Sequence, residues 1–412
     1  MIASHKFPAI RAVTPSTGNA LTTGEPTSGP NPSPLRVLFM IDHLGGLGGG
    51  ETSLVRIVRG MPSDRVKCSV VTLDERVNPV LKRLLTCPLH VFPLRSVFDL
   101  RAFRVAAEIR RLLRTEKIDL VHTFFESSNL WGGFVCKFGG GPRLVSSRRD
   151  MNILRNRAKH RLGYAIVNRI CDRVLTVSDA VRDLCIKQER LAPEKVVTLH
   201  NGVDLEQISQ VPPDSQLREK LHFASTDPII ACVANVRRVK GLDVLVRVAG
   251  IVCRKISNAR FLVVGGENEP DYGAELRATV RQMGLEHQFI FLGLTPQVIP
   301  ILKVSQVFCL VSRTEGFSNA LLEAMACSVP SVVTRVGGNA EAIEDGASGF
   351  VVDSEDSAAA ADRILQLLQS PQKRVAMGVA AHQRAVSRFS ASQMVSNLAS
   401  FYEQVVRGEA TC

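Results

Sequence analysis

The 412-residue chain is poor in the residues and patterns that mark several common classes of protein. It has one tryptophan and three tyrosines, so it lacks an aromatic platform on which nucleic-acid bases could stack. Its ten cysteines stand singly, mostly in apolar segments and never as Cys-x-x-Cys, which favours reduced thiols over disulfides or a zinc site. No apolar run approaches the ~18 to 20 residues of a membrane helix. The sequence therefore predicts a soluble or peripheral protein that does not bind nucleic acid.

The length of the chain predicts two domains, because one ordinary core does not extend over so many residues. Residues 1–34 are rich in Pro, Ser, Thr and Gly, which predicts a disordered tail, and they lack the apolar core of a secretory signal. We expect a cytoplasmic protein. The basic residues Lys6 and Arg11 in this tail leave organelle targeting as an alternative. Turn-forming residues at 201–204 and 211–214 mark a join, so we place the domains at 35–205 and 206–389, followed by a terminal segment at 390–412.

Short β-branched runs alternate with helical stretches from residue 36 onward. This rhythm predicts an α/β fold of parallel sheets flanked by helices, with one long helix at 101–116. Doubly wound domains of this kind bind ligands at the carboxyl ends of their strands. The predicted strands are 37–41, 68–72, 90–92, 120–123, 144–146, 174–177, 229–234, 261–266, 289–291 and 307–311.

Two glutamates, Glu315 and Glu323, stand eight residues apart around the predicted start of a helix. A strand, a tight loop and a helix in this order direct unpaired N–H groups and a positive dipole end at an anion. Ser318, Asn319 and Ala320 begin this helix, and carboxylates accept hydrogen bonds from sugar hydroxyls. The segment therefore predicts a site for a phosphorylated sugar, with an ordinary exposed helix position as the alternative for Glu323.

Residues 315–326, with 329–334, 337–341 and 345–352 after them, resemble the family 4 retaining glycosyltransferases, also called glycosyl transferases group 1. Glu315 and Glu323 match the two-glutamate motif of that family. The resemblance implies the GT-B fold, in which two Rossmann-like doubly wound domains face a cleft and a C-terminal helix crosses back to the first domain. It also implies retaining transfer of a sugar from a nucleoside-diphosphate sugar to a hydroxyl acceptor. Glu323 would then hold the ribose and Glu315 the transferred sugar.

The glycine-rich loop at 45–51 follows the first strand and precedes a helix, so its backbone can approach a phosphate closely. A dinucleotide fingerprint with Asp74 as its acid is the alternative. The resemblance places this loop across the donor phosphates, with Gly49 and Gly50 in contact with them.

His122 ends the predicted strand 120–123, where it could donate to a sugar hydroxyl, although a structural role is equally open. The resemblance places it near the transferred sugar, as a catalytic residue.

Cations follow the first strand of the second domain, where they suit the leaving charge of a diphosphate. Lys240 is expected to be catalytic. Many relatives carry an arginine five residues before this lysine, where the present chain has Asn235, so Arg237 or Arg238 would supply the second cation. A solvated loop is the alternative for this segment.

Arg148 and Asp150 follow the strand at 144–146 and are predicted to shape the acceptor site, with plain surface positions as the alternative. No clustered Asp-x-Asp or histidine set predicts a metal site. The resemblance likewise implies a reaction without bound metal or cofactor, in which the nucleotide sugar is a co-substrate.

Positive charge is concentrated in residues 36–205, where 29 lysines and arginines face 17 acidic residues, while the rest of the chain is nearly balanced. Arg155, Arg157, Lys159 and Arg161 interleave with apolar residues as in an amphipathic segment. We therefore expect an anionic membrane surface as a partner, at the inner face of the membrane, and a lipid-linked or cell-envelope glycan as acceptor. A sugar-nucleotide epimerase of the same fold and an inactive nucleotide-sugar-binding module remain as alternatives.

Overall fold

The structure is a computed structural model that describes residues 33–46, 48–94, 100–151 and 158–409, with only the backbone of 158–160. Three predictions lie wholly or partly outside these residues: the disordered tail over 1–32, the contacts of Arg155 and Arg157, and the contacts of the Lys159 side chain.

Seven parallel strands form the first sheet, and the five inner strands are largely buried, as parallel sheets require, while the two short edge strands are only partly buried. The strands are β1 (Leu35–Ile41), β2 (Val66–Thr72), β3 (Leu89–Val91), β4 (Leu120–Phe124), β5 (Arg143–Arg148), β6 (Arg173–Thr176) and β7 (Val196–Thr198). Their spatial order is β3-β2-β1-β4-β5-β6-β7. The helices between them are α1 (Gly49–Gly60), α2 (Pro79–Leu84), α3 (Arg101–Thr115), α4 (Gly133–Lys137), α5 (Ala158–Ile170) and α6 (Asp179–Glu189). We call these elements the first lobe.

Two short helices, α7 (Leu205–Gln210) and α8 (Leu217–Lys220), lead to a second parallel sheet. Its strands are β8 (Ile229–Val233), β9 (Arg260–Val264), β10 (Phe289–Gly293), β11 (Val307–Leu310), β12 (Ser331–Thr334) and β13 (Gly349–Val352), in the order β10-β9-β8-β11-β12-β13. The helices are α9 (Leu242–Lys255), α10 (Pro270–Gln282), α11 (Val298–Lys303), α12 (Asn319–Ala326), α13 (Asn339–Ala342), α14 (Ser357–Gln369) and α15 (Pro371–Arg388). These strands and helices α9 to α15 are the second lobe.

Both sheets reverse their winding direction at one point, between β1 and β4 in the first lobe and between β8 and β11 in the second. The predicted α/β class with two doubly wound sheets is confirmed. In such sheets a ligand crevice opens at the reversal point, beyond the carboxyl ends of the strands. The loops that follow these four strands are therefore the expected place of the functional site.

The last helix, α16 (Ala391–Arg407), packs against α1 in the first lobe. Its Tyr402 is fully buried, with its ring centroid 6.3 Å from that of Phe39 in β1. The chain passes between the lobes at two adjacent places, because Val203 N–H donates to the Phe389 carbonyl at 2.8 Å and Ala391 N–H donates to the Val203 carbonyl at 2.9 Å. The C-terminal helix thus packs on the first lobe, while the terminal segment at 390–412 and the residue bounds given for the domains stay predictions. None of the helices in the described ranges is long and apolar enough to cross a bilayer.

Candidate active site

Lys240 and Glu315 meet at the reversal point of the second sheet. Lys240 ends a short turn after β8, and Glu315 follows β11; Lys240 Nζ lies 2.6 Å from Glu315 Oε1. Ser312 Oγ donates to the same oxygen at 2.7 Å. Among the described residues nothing donates to Oε2 of Glu315, so this oxygen is open to a hydroxyl. The turn depends on Gly241, whose φ is 64° and where a Cβ would lie 2.1 Å from the Val311 carbonyl oxygen.

The N-terminus of α12 lies in the same loop as Glu315. Ser318 is its N-cap, since Ser318 Oγ accepts from Leu321 N–H at 3.2 Å. First-turn N–H groups have no partner within the helix, so those of Asn319 and Ala320 can bind an anion. The structure therefore places the predicted phosphate donors next to the Lys240 and Glu315 pair.

Glu323 lies one turn further along α12 and faces the first lobe. Its side chain is 22% exposed, and its Oε1 lies 3.5 Å from Arg56 Nη2. Burial raises the pKa of Glu323, and the nearby Arg56 guanidinium opposes this shift. An accessible carboxylate beside the helix start fits the predicted contact with ribose, which stays a prediction.

The glycine-rich loop of the first lobe touches the start of α12 directly. Asn319 Nδ2 donates to the Gly49 carbonyl and to Ser53 Oγ, both at 3.1 Å. Gly50 faces the Phe125 ring after β4, where a Cβ would lie 2.3 Å from the nearest ring carbon. The reversal points of the two sheets thus meet across one cleft, and Gly49 lies at the predicted donor site.

The two arginines before Lys240 point elsewhere. Arg237 is half exposed, with its Nε 3.6 Å from Glu269. Arg238 pairs with Glu275 at 2.7 Å and lies over the Tyr272 ring at 4.8 Å. Neither guanidinium contacts Glu315. Arg238 instead lines a cavity of about 640 Å³ together with Val239, Asp243, Tyr272, Glu275, Leu276, Thr279, Arg313 and Thr314.

His122 is enclosed in the core of the first lobe. Its Nδ1 is 2.6 Å from Tyr402 Oη and its Nε2 is 2.6 Å from Ser147 Oγ. Complete burial lowers the pKa of His122 to about 3, so the ring is neutral near pH 7. With both ring nitrogens engaged, the predicted contact of His122 with a sugar is absent from this arrangement. The ring joins the first sheet to α16.

Arg148 is also a core residue, because it is 1% exposed and its guanidinium is held inside the first lobe. It forms an ion pair with Glu189 at 3.0 Å and donates to Ser146 Oγ and Asn168 Oδ1 at 2.6 and 2.9 Å. The acceptor contact predicted for Arg148 does not fit this geometry. Asp150, in the loop after β5, is exposed beside Gly316, and its acceptor role stays a prediction.

Arg149 is a cleft residue that the sequence alone did not single out. Its Nη2 donates to Asn201 Oδ1 at 2.7 Å, and its guanidinium lies 5.1 Å from the Phe124 ring centroid. Desolvation lowers the pKa of Arg149 to about 10. Successive side chains of an extended segment point to opposite faces, so Arg148 and Arg149 should face different ways, but the sequence does not show which of them faces the cleft.

His43, in the loop after β1, and Glu51, in the first turn of α1, form a pair that the sequence did not single out. His43 Nδ1 is 3.2 Å from Glu51 Oε1, and the His43 ring stacks on Phe125 at 5.1 Å. Glu51 is buried, and its hydrogen bond raises the pKa of His43. The glutamate ends the glycine-rich motif in the sequence, which was the available signal. The pair supports the loop that contacts Asn319.

A third cluster joins the lobes at Glu341 of α13. The ligand atoms of Asp179, His200 and Glu341 lie within 4.8 Å of one another, close enough to hold a metal ion. Both Glu341 oxygens already accept backbone N–H groups at the start of α6, from Asp179 and Ala180, each at 2.9 Å. His200 Nε2 lies 2.8 Å from the same carboxylate. We interpret this cluster as a helix cap that ties the lobes together.

Comparison with known families and proteins gives consistent matches. The family described as Glycosyl transferases group 1 matches residues 214–384, and Glycosyltransferase Family 4 matches residues 47–207. N-acetyl-alpha-D-glucosaminyl L-malate synthase of Bacillus anthracis is 30% identical over 222 residues, which cover 54% of this chain and 57% of that protein. D-inositol 3-phosphate glycosyltransferase 1 of Catenulispora acidiphila is 28% identical over 310 residues, covering 70% and 73%. The chain thus spans less than two thirds of the first of these relatives.

Solved structures show the same fold. HepE of Anabaena in complex with UDP-glucose superposes with a TM-score of 0.79 at 22% identity, over 90% of this chain and all of that one. A glycosyltransferase from Rickettsia africae gives 0.79 at 17% identity, over 91% of this chain and all of its own. With both halves matched and the GT-B fold shared, this chain belongs to the family 4 glycosyltransferases, also called glycosyl transferases group 1.

Proposed function

We propose that this protein is a retaining glycosyltransferase that moves a sugar from a nucleoside-diphosphate sugar to a hydroxyl acceptor. The observation that carries the proposal is the Lys240 and Glu315 pair, 2.6 Å apart, next to the open N-terminus of α12. This places a cation, a carboxylate and free N–H groups at the reversal point of a doubly wound sheet, where ligands of such folds bind.

The chemistry follows from the charges that develop during transfer. Breaking the bond between the anomeric carbon and the diphosphate builds positive charge on the sugar and negative charge on the leaving group. Lys240 and the N–H groups of Asn319 and Ala320 would stabilise the leaving diphosphate. Glu315 Oε2 would accept from a hydroxyl of the transferred sugar, and Glu323 from the ribose.

These protein groups would supply the positive charge that the leaving diphosphate requires, so we propose that the reaction needs no bound metal or cofactor. Activity should then survive prolonged treatment with EDTA. A loss of activity that added Mg²⁺ or Mn²⁺ restores would refute this part of the proposal.

The donor can be identified by direct assay. HepE, at 22% identity, is known in complexes with UDP and UDP-glucose, which supports testing UDP sugars first, followed by GDP and ADP sugars. The expected result is nucleoside diphosphate release that depends on an acceptor, and a product with the anomeric configuration of the donor by NMR. An epimerised donor formed without any acceptor would favour an epimerase instead.

The acceptor is proposed to be a lipid-linked or cell-envelope glycan bound on the first lobe. One relative, from Escherichia coli and 25% identical, is named as a galactosyltransferase acting on GlcNAc-diphosphoundecaprenol, which supports a lipid-linked acceptor. The surface of the first lobe gives further support. Helix α3 packs against α4, and α4 packs against α5. These helices and the residues that cap them expose large apolar side chains, namely Leu100, Phe103, Phe134, Phe138, Leu162 and Ile166.

Basic residues border this surface. Arg110 lies over the Phe138 ring at 5.5 Å, and Arg161 and Arg169 are exposed on α5 near Leu162 and Ile166. Apolar side chains flanked by arginines suit the boundary of an anionic bilayer. We therefore propose reversible binding of this surface, which we call the α3–α5 surface, to anionic membrane lipid.

A further inference from the structure

Arg56 in α1 and Arg149 after β5 lie close together on the first-lobe wall of the cleft. Their bonds show this directly, because Arg56 Nη1 donates to the Gly202 carbonyl at 2.8 Å and Arg149 Nη2 donates to Asn201 Oδ1 at 2.7 Å. The two acceptors are consecutive residues. The positive charge of Arg56 also helps to lower the pKa of Arg149.

The charge of this pair is poorly compensated. No carboxylate of the described residues lies within ion-pair distance of Arg149. The nearest carboxylate to Arg56 is Glu323 at 3.5 Å, which is the predicted ribose ligand. Two like charges in a partly desolvated position are unfavourable unless an anion joins them. Guanidinium groups are suited to this task, since their planar fork matches a phosphate or carboxylate.

The second lobe, by contrast, has few unpaired cationic side chains near the cleft. Asn235, five residues before Lys240, is uncharged, and its Oδ1 accepts from Gly266 N–H at 2.9 Å. Arg238 is neutralised by Glu275, and Arg313 is neutralised by Asp243 at 2.7 Å. Within the described part of this lobe, Lys240 is the cation in contact with Glu315.

Both first-lobe arginines lie next to α12. Asn201, which binds Arg149, also donates from Nδ2 to the Phe317 carbonyl at 3.1 Å. The Arg149 carbonyl packs against Gly316, where a Cβ would lie only 2.1 Å from its oxygen. The pair is therefore held beside the loop and helix start at which phosphate binding is expected.

We propose that Arg56 and Arg149 form an anion site that binds a phosphoryl group of a substrate lying between the lobes. The site rests on the proposed function, which brings a nucleoside diphosphate and an acceptor into this cleft. The phosphoryl group is either part of the donor diphosphate or a phosphate ester on the acceptor. In both cases the first lobe would add two guanidinium groups to the positive charge of Lys240 in the second lobe.

Titration calorimetry on the full chain tests the proposal, with UDP, GDP, ADP and the matching nucleosides as probes. Sodium phosphate is then titrated into protein saturated with the nucleotide that binds. The variants are Arg149→Gln, Arg149→Lys and Arg56→Gln, with Arg104→Gln as a matched control, because Arg104 is a highly exposed arginine on α3. Arg149→Lys keeps the charge, so it carries the test if Arg149→Gln does not fold.

We expect Arg149→Gln and Arg56→Gln to weaken phosphoryl binding about tenfold or more, with partial rescue in Arg149→Lys and no change in Arg104→Gln. Weaker diphosphate binding with unchanged nucleoside binding identifies the donor as the source. Unchanged diphosphate binding with lost orthophosphate binding identifies the acceptor. A purely structural role would weaken nucleoside and diphosphate alike, and that result overturns the proposal.

The proposal is also overturned if both variants bind diphosphate and orthophosphate within twofold of wild type, or if the wild type binds neither. Orthophosphate binding that depends on Arg149 in a protein that binds no nucleotide would separate the two claims. The anion site would then stand, and the proposed function would fall.

Discussion

The two lobes share a sheet topology but differ in how their charged side chains are paired. In the second lobe most arginines near the cleft are matched to carboxylates, as in Arg238 with Glu275 and Arg313 with Asp243. The first lobe carries the positive excess of the chain, and Arg149 faces the cleft with no carboxylate among the described residues in ion-pair distance. These second-lobe arginines are thus paired with carboxylates, whereas Arg149 of the first lobe is not paired with a carboxylate of the described residues.

This difference in charge pairing suits the two lobes to two different tasks, stabilising the reaction and binding the substrate. A site whose charges are already balanced and hydrogen-bonded is preorganised, so it can stabilise charge that appears only during the reaction. An uncompensated basic wall attracts and holds a charged group in the ground state. We therefore expect mutations in the second lobe to affect turnover most, and mutations in the first lobe to affect binding.

The largest effect should come from Lys240→Ala. Lys240 would meet the full charge of its partner only as the diphosphate departs, so kcat should fall about 100- to 1000-fold while KM changes little. Steady-state kinetics with the identified donor measures this. Lys255→Ala is the matched control, since Lys255 is exposed at the end of α9. A rise in KM with unchanged kcat would make Lys240 a docking residue and would remove the contrast between the lobes.

A smaller effect concerns the buried histidine of the first lobe. The pKa of His122 is about 3 in the folded protein, against 6.5 for an ordinary histidine, because burial disfavours the charged ring. The unfolded chain therefore takes up a proton first as pH falls, and stability present above pH 6.5 is lost progressively toward pH 3. Between pH 7.5 and pH 5 this loss is roughly 2 kcal/mol.

His122→Gln should remove that part of the acid sensitivity. Urea unfolding of both proteins at pH 7.5 and pH 5 measures the difference, with His287→Gln as an exposed control. If wild type and His122→Gln lose equal stability on acidification, His122 is not the neutral core group that the geometry indicates.

Glu323→Ala should weaken nucleotide-sugar binding by about tenfold, because a carboxylate that accepts from ribose hydroxyls is lost. The fold should persist, since the side chain is partly exposed and lies in a well-capped helix. Calorimetry with the identified donor gives the affinity, and Glu286→Ala is an exposed control in the same lobe. Unchanged affinity for every nucleotide sugar would exclude the ribose role.

The smallest effect should be seen at the α3–α5 surface. Arg161→Ser should weaken pelleting with anionic vesicles by about fivefold, as one arginine near such a surface contributes about 1 kcal/mol. Adding Leu162→Ser and Ile166→Ser should weaken it further, while Val375→Ser with Val379→Ser, exposed apolar residues of the second lobe, should not. Binding should also fall at high salt. Equal pelleting with neutral and anionic vesicles would exclude this surface as the membrane contact.

The second-lobe site could be predicted from sequence because its parts are nearly contiguous. Glu315, Ser318 and Glu323 belong to one strand, loop and helix, so their spacing fixed their relation before any tertiary contact was known. Lys240 needed only the rule that strand ends at a reversal point meet. The two doubly wound sheets were likewise visible as alternating strands and helices, although the short strands β7, β12 and β13 were not among those predicted.

The first-lobe site could not be predicted from the sequence, because it is assembled from segments that are far apart along the chain. Arg56, Arg149 and Asn201 come from three separate parts of the chain, and no local spacing joins them. Arg148 ends β5 and Arg149 is the next residue, so the choice between them depended on which side chain turns into the core, and only the packing around Glu189 decided it. The enclosure of His122 by Tyr402 required knowing that α16 returns to the first lobe.

The most direct test of the account is a crystal structure with the bound nucleoside diphosphate. We expect the diphosphate to lie between the lobes, within hydrogen-bond distance of Lys240 Nζ and of the Asn319 and Ala320 N–H groups, with the ribose at Glu323. A nucleotide bound instead in the 640 Å³ cavity beside Arg238 and Tyr272, away from Lys240 and α12, would contradict it.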